Sequence, residues 1–277
     1  MTQIKGFQQL NSMIKEFRAS RGKVLSNCYM MPDEIEKHCV DGRVKADVIG
    51  DWLIVLFEYE DYIGLCYYTT EDSEVPDFSP IFEGTDKAVM FDIILRLGKG
   101  DTITSKKLIN AGAAEHYKSY LRQQLPLDKV NFQNFTLAEG YRVAPEYNNY
   151  EEFHALIAAG LDSKSMQLPT REKFEKVQRE GTAIFVVDEK GELASTEIYV
   201  YNGTIGFPLH LATSVNHRRK GLGMFVMEEL IRLTRKNGLK MLRCWIEENN
   251  VPSLTLCHRL GYSEDGTVCE QYTMKGK

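Results

Sequence analysis

The sequence predicts an α/β protein in which a mixed, largely antiparallel sheet is flanked by helices. Two segments with apolar residues at helical spacing, 150–161 and 170–179, precede three β-like segments. The dipeptide Asn202-Gly203 joins the last two of these segments as a tight hairpin, so those strands must be antiparallel. After the third β-like segment, helix, strand, helix and strand patterns alternate up to residue 274. This order is typical of layered α/β domains.

In the C-terminal half, each element is bounded by a turn or capping signal. Gly238 suits the C-terminal cap of a long amphipathic helix, Pro252 suits the first turn of the next helix, and Gly261 ends that helix. The predicted strands are 182–187, 193–201, 204–215, 239–246 and 268–274, and the predicted long helix is 222–237.

The N-terminal half shows a comparable order of elements. Phe7, Leu10, Ile14 and Phe17 recur at helical spacing and predict a first helix. The other predicted elements are helices at 33–39 and 106–110, strands at 52–58, 62–69, 88–95 and 117–122, and a loop at 71–86. Residues 125–140 lack clear periodicity, so the sequence places a domain boundary there.

A weak internal repeat relates the two halves. Residues 31–33 resemble 168–170, and residues 108–113 resemble 257–262, each in the same sequence of elements. We therefore expect two tandem units, an N-terminal domain over 1–130 and a C-terminal domain over 139–277.

Composition excludes several classes of protein. The chain has 277 residues, 43% of them hydrophobic and 26% charged, which allows a normal core and argues against global disorder. The net charge of −5 does not favour nucleic-acid binding. The cations that could serve such binding are interleaved with Glu228 and Glu229; they are Arg232, Arg235, Lys236, Lys240 and Arg243.

The six cysteines have no zinc-type spacing and indicate reduced thiols in a cytoplasmic protein. We expect no metal. The first residues lack the apolar core of a signal peptide, and the longest strongly apolar run, 52–57, is too short to span a membrane. We therefore expect no membrane partner.

The most informative segment is a basic turn, defined here as residues 216–221, between a predicted strand and the long helix. The first N–H groups of a helix have no intrahelical partners and carry the positive end of its dipole, so they attract anions. Gly221 and Gly223 remove side chains where a phosphate group would approach the backbone. The P-loop pattern is absent, and a dinucleotide fingerprint fails because Val226 stands where its third glycine is needed.

The pattern Arg-x-x-Gly-x-Gly, formed by Arg218, Gly221 and Gly223, resembles the acyl-CoA signature of the GCN5-related N-acetyltransferase (GNAT) superfamily. The resemblance covers residues from about 140 onward, and the N-terminal half has no such pattern. It implies the acyl-CoA N-acyltransferase fold, acetyl-CoA as co-substrate, and a degenerate first half. It also implies that the strand before the turn splays from its neighbour and pairs with the pantetheine arm. The implied CoA-binding residues are Leu211, Ala212, Thr213, Arg218, Arg219, Lys220, Gly221, Leu222, Gly223 and Met224.

A second part of the resemblance lies in the last helix. It reads Asn250, Ser253 and Cys257, followed by Gly261-Tyr262. Asn250 and Ser253 would line the thiol end of CoA. Cys257 replaces the family's tyrosine that often protonates the departing thiolate. Its thiol is either a proton donor or a small buried hydrophobic group.

Acetylation of an amine also needs a base, because an ammonium group is not a nucleophile. The strand 204–215 has no acid, and its titratable side chain is His210; Glu197 lies on the preceding strand. Either residue is a candidate base, and either could have a purely structural role.

These observations together predict a cytoplasmic, acetyl-CoA-dependent N-acetyltransferase. The acceptor would be a primary amine of a small molecule or a peptide, attacking the thioester directly. The alternative is a non-catalytic acyl-CoA sensor, which the missing tyrosine and the missing strand acid support. The sequence leaves the oligomeric state open.

Overall fold

The structure is a computed structural model that describes residues 1–276. The chain folds into two compact units. Unit 1 contains residues 1–120 together with the C-terminal residues from 266 onward, and unit 2 contains residues 121–265. The domain bounds expected from the sequence, 1–130 and 139–277, stay a prediction.

Unit 1 begins with two helices that frame a short strand and continues with an antiparallel meander. Its elements are β1 (Thr2–Gln3), α1 (Phe7–Ala19), β2 (Val24–Ser26), α2 (Pro32–Val40), β3 (Val44–Ile49), β4 (Trp52–Glu58), β5 (Tyr62–Thr70), α3 (Ser79–Phe82), β6 (Ala88–Arg96), α4 (Thr102–Asn110) and the first part of β7 (Ala114–Pro126).

The sheet of unit 1 separates two hydrophobic clusters. Leu10, Ile14 and Phe17 of α1 pack with Ile35 of α2 against Val55 and other residues of the sheet. The other cluster is centred on aromatic residues, including Trp52, Tyr67 and Phe91. Alternate residues of a strand face opposite sides, so the almost wholly buried β4 contributes to both clusters.

Unit 2 repeats this order with one long helix. After a 3₁₀ turn at Leu127–Lys129 its elements are β8 (Tyr141–Ala144), α5 (Tyr150–Ala158), α6 (Arg171–Arg179), β9 (Ala183–Asp188), β10 (Leu193–Asn202), β11 (Ile205–Thr213), α7 (Leu222–Lys236), β12 (Met241–Glu247), α8 (Val251–Leu260) and the start of β13 (Ser263–Met274).

The strands of unit 2 lie in the order β8-β9-β10-β11-β12. All neighbours are antiparallel except β11 and β12. Helices α5 and α6 pack on one apolar cluster, which contains Phe153, Phe174 and Phe185. Helices α7 and α8 pack on another, which contains Leu230, Leu242 and Leu260.

The predicted fold class, a mixed and largely antiparallel sheet flanked by helices, is confirmed. The hairpin at Asn202-Gly203 joins β10 to β11, and α7 begins and ends within a residue of its prediction. Strands β1, β2, β3 and β8 were not predicted, and residues 79–82, predicted as part of a loop, form the single-turn helix α3.

Candidate active site

Strands β11 and β12 separate close to their starting points. They are paired in parallel only at Ile205–Met241 and Gly206–Leu242. A Cβ atom on Gly206 would lie 2.7 Å from Leu242 Cδ2, so glycine permits the close approach at this point. Beyond it, Leu211, Ala212 and Thr213 lie on a stretch of β11 that has no ladder with β12 in the part of the chain that the structure describes. The edge of β11 is therefore available to an added extended chain.

A β-bulge distorts β11 just before this edge. Thr196 of β10 pairs with Ala212 and Ile198 pairs with Leu209, so Glu197 lies opposite two residues, His210 and Leu211. His210 has a φ of 59°, a left-handed conformation that is uncommon for residues other than glycine. Bulges of this kind often redirect backbone groups beside active sites.

The basic turn leads directly into α7. Gly221 is the N-cap residue of the helix and has a φ of 76°, which favours glycine. The first hydrogen bond of the helix runs from the Phe225 N–H to the Gly221 carbonyl, at 3.0 Å. The N–H groups of Leu222, Gly223 and Met224 precede that bond and mark the anion-attracting end of the helix.

The two glycines of this segment have different surroundings. A Cβ atom on Gly221 would lie 2.9 Å from the Phe135 ring, so this position is closed by the protein itself. A Cβ atom on Gly223 would lie 3.5 Å from both Leu256 Cδ1 and Thr213 Oγ1, which is ordinary contact. Gly223 thus brings the start of α7 next to the end of β11 and to α8.

The three cations of the basic turn are exposed but are not equivalent. Lys220 Nζ donates to the Tyr141 hydroxyl at 2.6 Å, and that hydroxyl is 2.8 Å from His217 Nδ1. Arg218 Nε donates to the Thr213 carbonyl at 3.4 Å. Arg219 has a left-handed φ of 63°. Lys220 is therefore held by the protein, whereas the exposed guanidinium groups of Arg218 and Arg219 form no ion pair within residues 1–276 and can meet an anionic ligand.

A buried carboxylate fixes the segment that covers Gly221. Glu228 of α7 is fully buried and accepts hydrogen bonds from the backbone N–H groups of Gln133, Asn134 and Phe135. It also forms an ion pair with Arg232 at 3.3 Å. Sequence reasoning did not identify this contact, although an acid within an otherwise apolar helix face was a usable signal.

Helix α8 contains the second set of predicted residues. The Asn250 side chain accepts from the Ser253 N–H at 3.2 Å, so its carbonyl oxygen caps the helix. Cys257 is 3% exposed. A hydrogen bond with Cys244 of β12, together with burial, raises the pKa of the Cys257 thiol well above its ordinary value.

The two candidate bases have pKa values displaced in opposite directions. Burial alone raises the pKa of Glu197 to about 8, and its Oε2 atom has no hydrogen-bond partner within the described residues. Burial lowers the pKa of His210 to about 4, and the charge of Lys173 adds to this effect. His210 Nδ1 is likewise buried and unpartnered within residues 1–276. Unpaired buried polar groups are costly and cluster at functional sites.

No helix within residues 1–276 combines the length and apolar character needed to cross a membrane. The same residues contain no cluster of three or more His, Cys, Asp or Glu side chains that could hold a metal ion.

Residues 149–262 match the model of the Acetyltransferase (GNAT) family. This range covers α5 to α8, and so includes the basic turn, the bulge and the diverging strands. No curated protein matches the chain significantly.

Solved structures extend the similarity in fold to most of the chain. A GCN5-related N-acetyltransferase from Sphaerobacter thermophilus has a TM-score of 0.55 at 12% identity, covering 88% of this chain and 87% of its own. One from Kribbella flavida has a TM-score of 0.54 at 13% identity, with coverages of 90% and 98%. A tandem GNAT protein from the clavulanic acid biosynthesis pathway has a TM-score of 0.54 at 14% identity, with coverages of 83% and 80%.

These matches cover much of unit 1 as well as unit 2. Their sequence identities are low, so they show similarity in fold alone. The family match and the acyl-CoA signature both lie in the C-terminal half. Residues 149–262 are therefore a domain of the GNAT acetyltransferase family, and the N-terminal half of the chain shares the fold of that family.

Proposed function

We propose that the protein is an acetyl-CoA-dependent N-acetyltransferase whose co-substrate binds to unit 2. The acceptor is a primary amine of a small molecule or a peptide. In the reaction, the amine nitrogen forms a bond to the acetyl carbon while the carbon–sulfur bond breaks. One proton leaves the amine, and one reaches the CoA thiolate.

The observation that carries this proposal is the separation of β11 from β12 beside the N-terminus of α7. The pantetheine arm of CoA is an extended chain with amide groups, which can pair with a free strand edge as another strand would. The edge at 211–213 ends where Thr213 meets Gly223, so one extended ligand could pair with β11 and then reach the helix N-terminus. The residues present therefore fit an acyl-CoA.

The proposed binding of the phosphates uses the N–H groups of residues 222–224 and the side chains of Arg218 and Arg219. Lys220, held against Tyr141, adds charge rather than a flexible contact. Asn250 and Ser253, at the start of α8, are proposed to line the thiol end. Backbone N–H groups beside the bulge would stabilise negative charge that develops on the acetyl oxygen.

Glu197 is the stronger of the two proposed bases. A base works best when its pKa lies near the operating pH, because it must be partly ionised and still accept a proton readily. Glu197, with a pKa of about 8, meets this condition. His210, with a pKa of about 4, is neutral at pH 7 but binds a proton weakly. His210 is therefore proposed to act chiefly through the backbone conformation of the bulge.

Proton delivery to the thiolate is proposed for Cys257 only because of its position in the family pattern. A thiol with a raised pKa donates its proton less readily. Burial and the bond to Cys244 also explain the residue as a packing group. This observation favours a second candidate function, a non-catalytic acyl-CoA sensor that keeps the binding turn and lacks an efficient proton donor.

A panel of amines screened with acetyl-CoA would separate the two functions. Release of CoA thiol would be followed with a chromogenic disulfide, and acetylated amine would be detected by mass spectrometry. Steady, amine-dependent release supports the enzyme. Saturable acetyl-CoA binding without release for any amine supports the sensor.

A further inference from the structure

The strand pair of unit 1 repeats the separation described for unit 2. Strands β5 and β6 are parallel and are paired only at Tyr62–Ala88, Ile63–Val89 and Gly64–Met90. Beyond Gly64 they diverge, as β11 and β12 do beyond Gly206. The facing edges of β5 and β6 therefore carry backbone groups that need other partners.

Those partners come from residues 24–29, a segment named here the plug. Its first part is β2, which pairs antiparallel with the far end of β5: Val24 with Thr70, Leu25 with Thr69, and Ser26 with Tyr68. The corresponding segment of unit 2, residues 159–170, lies between α5 and α6 and contains turns but no strand, all of it within the described chain.

Asn27 connects the plug to both diverging strands. Its side-chain oxygen accepts from the Tyr67 N–H at 2.7 Å, and its side-chain nitrogen donates to the Leu65 carbonyl at 3.1 Å. The same nitrogen donates to the Asp92 carbonyl of β6 at 3.2 Å. The side chain is 4% exposed, so these bonds form in the interior, where an unpaired amide would be costly.

Two further contacts hold the rest of the plug. The Ile94 N–H of β6 donates to the Tyr29 hydroxyl at 3.3 Å. The Cys28 thiol forms a hydrogen bond with the Cys66 thiol of β5, and this bond is the main cause that lowers the pKa of Cys28. Both β5 and β6 thus meet the plug through backbone or side-chain contacts along their separated portions.

We propose that the plug is a built-in occupant of the unit 1 cleft, with the Asn27 carboxamide making the strand-edge hydrogen bonds that an amide of the pantetheine arm makes in unit 2. A carboxamide that accepts and donates along one strand edge has the hydrogen-bonding pattern of any amide. The inference rests on the proposed function, because that function assigns the pantetheine arm to β11. It follows that unit 1 does not take up acyl-CoA and that the chain binds one molecule.

The phosphate end of the unit 1 cleft agrees with this inference. Where unit 2 has a basic turn and a helix of 15 residues, unit 1 has the four-residue helix α3. Residues 71–87, which lead from β5 to β6, contain six acidic residues and one basic residue, Lys87, which forms an ion pair with Glu58 at 3.1 Å. A polyphosphate would meet repulsion there rather than a helix N-terminus with cations.

Residue-resolved amide exchange by NMR tests the proposal on the intact chain, with and without acetyl-CoA. The amides of Tyr67 and Ile94 are expected to exchange at least about 10²-fold more slowly than unstructured amides in the absence of ligand, and acetyl-CoA should not change them. The amides of residues 211–213 should gain protection only with acetyl-CoA. Fast exchange at Tyr67 and Ile94, or protection there that depends on acetyl-CoA, would overturn the proposal.

The same experiment distinguishes a failure of the plug proposal from a failure of the proposed function. If residues 211–213 never respond to acetyl-CoA while Tyr67 and Ile94 are protected throughout, the assignment of β11 fails and the internal contact stands. Asn27→Asp adds a direct test, because a carboxylate would face the Leu65 and Asp92 carbonyls without a donor. Tyr67 protection should fall at least about tenfold, whereas Asn110→Asp, at an exposed position of the same unit, should leave it unchanged. Equal protection in both variants would overturn the role of Asn27.

Discussion

Glu197 lies opposite His210 across the β10–β11 ladder, at the bulge that precedes the proposed binding edge. Burial raises the pKa of Glu197 to about 8 and lowers the pKa of His210 to about 4. The ordinary pKa of a glutamate, about 4.3, lies below that of a histidine, about 6.5. In the structure the order of the two pKa values is reversed, and they lie far apart. A pH profile of the reaction can therefore distinguish the two residues.

The first prediction concerns the acidic limb of kcat/KM for amine acetylation. With Glu197 as the base, the limb should lie near pH 8 in the wild type and disappear in Glu197→Gln, with turnover at pH 8 reduced by about 10²-fold or more. The pKa of a free alkylamine, about 10.4, lies well above this limb. The measurement is the pH dependence of initial rates for both proteins.

His210→Asn is the matched variant for this test. Asparagine tolerates the left-handed φ of residue 210 better than other polar residues do, so the substitution removes the imidazole with little added strain. The limb near pH 8 should persist in His210→Asn. A limb near pH 4 that disappears in this variant would assign the base to His210 and contradict the role of Glu197.

The second prediction concerns stability. In the unfolded chain Glu197 should ionise near pH 4.3, whereas in the folded protein it keeps its proton up to about pH 8. Between these values the unfolded state has lost the proton that the folded state retains. The contribution of Glu197 to the free energy of unfolding is therefore fully present below about pH 4.3, decreases as the pH rises, and is lost by about pH 8. The free energy of unfolding should fall by up to about 5 kcal/mol across this range.

Glu197→Gln should remove this dependence, because glutamine keeps the shape of the protonated side chain. Its Tm should match that of the wild type near pH 5 and exceed it at pH 8. Glu175→Gln, at an exposed position of α6, is the control and should follow the wild type. Thermal unfolding measured by circular dichroism across this range checks the prediction, and parallel curves for wild type and Glu197→Gln would contradict it.

The third prediction assigns Cys257 mainly to packing. Its thiol is buried among the residues of the α7 and α8 cluster and bonded to Cys244. Cys257→Ala should lower stability by about 1–2 kcal/mol and leave kcat within about threefold of the wild type. Turnover that falls by about 10²-fold with an unchanged Tm and unchanged acetyl-CoA affinity would instead identify the thiol as the proton donor.

Much of the fold could be predicted because its signals are local. The apolar spacing of α1 and α7, the Asn202-Gly203 turn and the cap at Gly261 each depend on neighbouring residues only. Strand β2 was missed for a physical reason: its three residues become a strand only by pairing with β5, which follows about forty positions later in the chain. The sequence of these three residues does not itself indicate that they pair with a distant strand.

The candidate site divides in the same way. The basic turn could be found because glycine and arginine at fixed spacing suit a helix N-terminus. The contact between Gly221 and Phe135 could not be found, since Glu228 positions that ring by binding backbone N–H groups of a distant loop. The sequence could not give the pKa values of Glu197 and His210 either. Burial determines the direction of each pKa shift, but the size of the shift depends on the side chains packed around the group.

The proposed function depends above all on the binding of one acetyl-CoA per chain at the start of α7. Titration calorimetry of acetyl-CoA into the wild type, Gly223→Asp and Gly160→Asp tests it most directly. Gly223 is preferable to Gly221, because Gly221 has a left-handed φ and contacts Phe135, so its replacement would strain the fold. Gly160 is exposed in the same unit and gives the same change of charge. We expect one site in the wild type and in Gly160→Asp, and an affinity at least about 10²-fold weaker in Gly223→Asp, with cooperative thermal unfolding in all three. Two sites per chain, or an unchanged affinity in Gly223→Asp, would contradict it.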